Sequence, residues 1–72
     1  MSNVHSAGYQ AFLKKFRHAR VEAGLTQAQV AKTLKKPQSF VSKAESGERR
    51  LDFSEVQRFA KLYKKPLSYF EA

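Results

Sequence analysis

Residues 27–47 read QAQVAKTLKKPQSFVSKAESG, two short helical patterns separated only by Lys35, Lys36 and Pro37. Thr26 stands where a helix N-cap belongs, and Gln29 three residues on completes a capping box. Leu25 and Val30 flank that cap as a hydrophobic staple. The spacing predicts a helix from Gln27 to about Leu34, burying Ala28, Val30 or Ala31, and Leu34. Lys36 precedes a proline and so resists the helical region, which forces a turn. Pro37 can then open the next helix, where its missing N–H costs nothing. That helix should cover roughly Gln38 to Ser46 and stop at Gly47, with Val41 and Ala44 facing inward. Gln38, Ser39, Ser42 and Lys43 are left on its other side.

The same period continues outward in both directions. Between Tyr9 and Ala23, apolar residues fall at Tyr9, Phe12, Leu13, Phe16, Ala19 and Ala23, the stripe of an amphipathic helix. Lys14, Lys15, Arg17 and His18 lie mostly off it, and Gly24 is a natural stop. After the loop, Asp52 with Glu55 repeats the capping arrangement, and Leu51 with Val56 repeats the staple. A fourth helix from about Phe53 should bury Phe53, Val56, Phe59, Ala60 and Tyr63 before Pro66 ends it. Leu67 to Phe70 has room for one more helical turn. No strand-like alternation persists beyond a few residues. The expected fold is all-α, a compact bundle of four to five helices over residues 9–72, with residues 1–8 as a flexible N-terminal arm. No internal repeat or long linker stands out.

Seventy-two residues make one domain with a modest core. Without cysteine there is no disulfide or thiolate metal site. His5 and His18 are too few and too far apart for zinc, so no metal and no cofactor is expected. Fourteen Lys and Arg against six Asp and Glu give a net charge of +8, which points to an anionic partner, nucleic acid first. A membrane is the lesser candidate, since no apolar run approaches the ~20 residues of a span. The first residues lack the pattern of a signal peptide, so the chain reads as cytoplasmic and nucleoid-associated. Ser and His are present, but no spacing sets a base beside a nucleophile, and an enzyme is not expected.

Two helices joined by so short a turn must cross steeply, which is helix-turn-helix geometry. The first can lie across a DNA backbone while the second enters the major groove. Here the sequence resembles the lambda-repressor and Cro group, the Xre-type regulators. Gly24-Leu25-Thr26-Gln27, Val30-Ala31, Leu34, Gln38-Ser39, Val41-Ser42-Lys43, Glu45 and Gly47-Glu48-Arg49-Arg50 carry the resemblance, which covers about residues 12–70. It implies that Gln27 bonds a phosphate and that Gln38, Ser39 and Lys43 face bases, with Ser42 as a flanking contact. A Gln amide suits adenine, and a Lys suits guanine or a phosphate. The family usually has glycine where this chain has Lys35 and Lys64, so altered turns are expected at both places.

Lys36, Arg49 and Arg50 flank the second helix of the pair and are further phosphate candidates. Phe40 reads either as a flank of the core, against the second helix or the following loop, or as an apolar contact to a thymine methyl or sugar. Glu45 is a carboxylate on a helix that should face phosphates. It should therefore turn inward, where a bare charge needs a partner. Arg20 sits at the edge of the first stripe, and the resemblance implies an Arg20–Glu45 ion pair. One such domain reads few base pairs, so two copies on a palindromic operator are expected. Leu67, Tyr69 and Phe70 form an apolar end suited to the dimer contact or to closing the domain's own core, which Leu67 and Phe70 should do in part. The expected function is a sequence-specific DNA-binding transcriptional regulator working as a homodimer on double-stranded DNA. The alternative is an antitoxin-type module that holds a protein partner and binds its own promoter; a third option is nonspecific coating of nucleic acid.

Overall fold

In the computed structural model, which describes residues 6–71, the element order is α1 (Ala7–Glu22), α2 (Gln27–Leu34), α3 (Gln38–Ser46), α4 (Phe53–Tyr63) and a closing 3-10 helix (Leu67–Phe70). No strand occurs among the described residues. The helix ends follow local chemistry. Thr26 accepts from the Gln29 N–H at 3.1 Å while the Gln29 side chain accepts from the Thr26 N–H at 2.8 Å. Asp52 and Glu55 reproduce this reciprocal pair at 2.8 and 3.0 Å. Each box ties off donors that the first helical turn leaves without partners. α1 begins two residues before Tyr9, because the Ser6 hydroxyl accepts from the Tyr9 N–H at 3.1 Å and caps it there. Ala7 and Gly8 thus belong to the helix rather than to an arm, and residues 1–5 of the expected arm lie outside the described residues.

Lys35 and Lys64 end α2 and α4 in the left-handed region, both at φ 59° and ψ 44°. The next N–H reaches back to close each end, Lys36 to the Ala31 carbonyl and Lys65 to the Ala60 carbonyl, both at 2.9 Å. A proline at ψ 154° follows in each case and starts the next helix. Residues 34–40 and 63–69, LKKPQSF and YKKPLSY, therefore share one turn. The altered turns expected at these lysines keep the glycine geometry with a lysine in place, at a cost of about 1 kcal/mol each.

All helices contribute to one core. Phe16 and Ala19 from α1, Val30 and Ala31 from α2, and Val41 and Ala44 from α3 meet Phe59, Ala60 and Tyr63 from α4. The Phe16 and Phe59 rings meet edge to face at 4.8 Å, a favoured aromatic geometry. Two residues expected in the core are exposed, and Val56 and Leu34 are only half-buried. Ala28 is exposed, because both Val30 and Ala31 turn inward and set the buried side of α2 away from it. Phe53 is 68% exposed rather than buried, because as the first residue of α4 it lies beyond the end of the core. Phe70 is only 5% exposed and packs on Phe12 with ring centroids 6.2 Å apart, so it closes its own core and is not open to a partner.

Candidate nucleic-acid interface

α2 and α3 make the most extensive helix contact of the fold, and the Lys35–Pro37 turn sets their crossing. α3 shows Val41 and Ala44 to the core. The 3.6-residue period then turns Gln38, Ser39, Ser42 and Lys43 outward. Gln38, Ser39 and Lys43 are exposed and Ser42 is half-buried. The Ser42 hydroxyl folds back on the Ser39 carbonyl at 3.3 Å, and Lys43 sits 3.9 Å from Glu48, a loose surface pair. The expected base-facing residues thus share one surface, with small side chains between the long ones. Phe40 is not on it. Its ring is half-buried and stacked on Phe59 at 6.1 Å and 11°, the core-flank arrangement.

The edge of α3 opposite Phe40 is held by charge. The Glu45 carboxylate accepts from Arg20 Nε at 2.6 Å, Arg20 Nη2 at 3.2 Å and Gln27 Nε2 at 3.0 Å. Arg20 also donates to the Leu25 carbonyl at 2.9 Å. The Arg20 and Glu45 side chains are 12% and 5% exposed, so the pair is largely withdrawn from water. The hydrogen bond to Glu45 holds the Arg20 guanidinium above its usual pKa, against the opposing effect of burial. One carboxylate therefore ties α3 to both α1 and α2. Gln27 is part of that tie, and one of its two amide hydrogens remains for a phosphate. Behind the pair, burial pushes the Tyr63 phenol well above its ordinary range, and its hydroxyl has no hydrogen-bond partner among the described residues.

The expected phosphate contacts divide into separate settings. Lys36 and Arg49 both approach the Phe40 ring, at 5.4 and 4.8 Å from its centroid. Arg49 also pairs with Glu55 at 2.5 Å. Arg50 lies instead over Tyr9 of α1 at 4.6 Å. Sequence reasoning passed over Lys14 and Arg17. Both line a shallow groove between α1 and α3, opposite Glu45 and Ser46, and neither has an ion-pair partner among the described residues. Their spacing off the apolar stripe was the available signal. Which side of α1 runs beside α3 is decided only by packing.

The chain belongs to the helix-turn-helix family of Xre and lambda-repressor type: the family model described as Helix-turn-helix matches residues 16–70, most of the chain. This is a family of DNA-binding transcription regulators and not typically of enzymes. No curated protein and no solved structure matches the chain. No helix among the described residues is long and apolar enough to cross a membrane.

Proposed function

We propose that this chain binds a short palindromic DNA operator as a homodimer and regulates transcription by where it sits, within the cytoplasm and on the nucleoid. The observation that carries this reading is the outward face of α3. Gln38, Ser39 and Lys43 stand exposed on a helix whose tilt is fixed by the Glu45 tie to Arg20 and Gln27. α3 enters the major groove, and Gln38 and Lys43 read base edges while Ser39 and Ser42 allow close approach. Gln27, Lys36, Arg49 and Arg50 take phosphates, which position the helix without choosing sequence. Leu67 and Tyr69, both half-buried on the last helical turn, supply the dimer contact.

Selection of bound duplexes from a random pool tests this directly. A palindromic consensus bound at least about 10³-fold more tightly than scrambled DNA is the expected result. Equal affinity for scrambled duplexes would refute operator reading. Gln38→Ala should relax base choice at one position per half-site, costing about 1–3 kcal/mol against the preferred base.

A further inference from the structure

The sequence left the role of Phe40 open, and the fold places it where two cations meet. One side of its ring packs parallel on Phe59 in the core. Lys36, from the turn before α3, and Arg49, from the loop after it, both approach the same ring. These residues are distant in sequence and bracket the recognition helix at its two ends. Cations are drawn to an aromatic face by its quadrupole. The open cleft beside them is lined by Leu34, Lys36, Phe40, Glu55, Arg58 and Phe59. Among the described residues that line it, Glu55 supplies the one carboxylate, already engaged by Arg49 and by the Asp52 N–H. With Lys36, Arg49 and Arg58 against Glu55 and Asp52, whose charge also acts on Arg49, the cluster keeps a positive balance.

We infer that Phe40 is a positioning residue for DNA binding: its ring, with Glu55 also holding Arg49 through their ion pair, gathers Lys36 and Arg49 into one preorganised seat for the sugar-phosphate backbone. The proposal rests on the DNA-binding reading above. A flexible lysine or arginine loses rotamer freedom when it settles on a phosphate, and that loss weakens binding. Side chains already ordered on a ring lose less. The platform therefore adds affinity for every sequence alike and leaves base choice to Gln38, Ser39 and Lys43. It also couples the turn to the loop, so that both ends of α3 address the duplex together.

A double-mutant cycle tests this on the full chain, with binding measured by fluorescence anisotropy on the selected operator and on scrambled duplex. Phe40→Leu keeps an apolar side chain against Phe59 but removes the ring. It should weaken both duplexes by roughly tenfold with the base preference intact. Phe40→Trp should retain binding. With Lys36 and Arg49 both changed to methionine, Phe40→Leu should have almost no further effect. An equal loss with and without the two cations would mean a packing role alone and would overturn the proposal. Unaltered binding by Phe40→Leu would overturn it as well.

A second readout needs no DNA. In the free protein the ring current of Phe40 should move the Lys36 Hε and Arg49 Hδ protons upfield, and Phe40→Leu should return them. Random-coil positions in a wild-type chain that binds DNA sink the platform alone. Failure of the wild-type chain to bind any duplex sinks the DNA reading and takes the seat's function with it, whatever the ring-current shifts show.

Discussion

Glu45 shows how one residue can serve the fold and the interface at once. Its carboxylate accepts three hydrogen bonds from Arg20 and Gln27 and is nearly closed to water. Truncating it leaves Arg20 buried without its partner, which costs far more than losing a surface pair. Glu45→Ala should therefore destabilise the chain by about 3–5 kcal/mol, measured by urea denaturation. A loss below about 1 kcal/mol would show that water screens the pair after all. Lys43 and Glu48 make the opposite case. They are 3.9 Å apart, and their side chains are 55% and 65% exposed, so breaking that contact should be nearly silent in the same assay.

At the scale of elements, the caps and the lysine turns make separate claims. The Asp52 carboxyl is held below its ordinary range first by the Glu55 N–H, then by the Ser54 hydroxyl. A depressed carboxyl stabilises the fold above its unfolded pKa and loses that contribution as pH falls through the folded value. Stability should therefore decline below about pH 4. Asp52→Asn caps equally well near neutrality but cannot titrate, so it should flatten that acid limb in thermal melts across pH. An unchanged limb would place the acid sensitivity elsewhere, for instance at Glu22, whose carboxyl is lowered chiefly by the hydrogen bond to Lys65.

The αL lysines predict the other direction. Lys64→Gly relieves a strained φ at the end of α4 and should raise stability by about 1 kcal/mol, a rise of roughly 4–8 °C in Tm. A fall in Tm would mean that Lys64 makes contacts worth more than its backbone strain.

At the scale of the whole molecule, a small core has to support the specific DNA reading proposed above. A net charge of +8 gives attraction to any duplex, so operator affinity should fall steeply with salt, by about 0.9 log units per log unit of salt for each phosphate contact. On the proposed reading, specificity depends on pairing two copies. Tyr69→Ala should reduce the two-copy complex on the operator and leave single-copy binding to a half-site unchanged, read by native gel stoichiometry. Equal binding of both would place the dimer contact elsewhere, with Phe53 and Val21 as the exposed large apolar side chains among the described residues.

Most helix bounds, the two capping boxes and the break between α2 and α3 were legible in the sequence, because each follows from residues within a few positions of one another; the Ser6 cap that starts α1 was not. Thr26 with Gln29, Asp52 with Glu55, and Gly24 and Gly47 at helix ends settle their own backbone without reference to the fold. The inward turn of Val41 and Ala44, and with it the outward face of α3, followed from helical period alone. Tertiary packing decided what lies beside what. It exposed Ala28 and Phe53, closed Phe70 into its own core, turned Gln27 toward Glu45, brought Lys14 and Arg17 alongside α3, and set Lys36 and Arg49 on one ring. The physical reason is range. A hydrogen bond at a cap is chosen by neighbours in the chain, whereas the burial of an aromatic ring is chosen by whichever distant helix covers it.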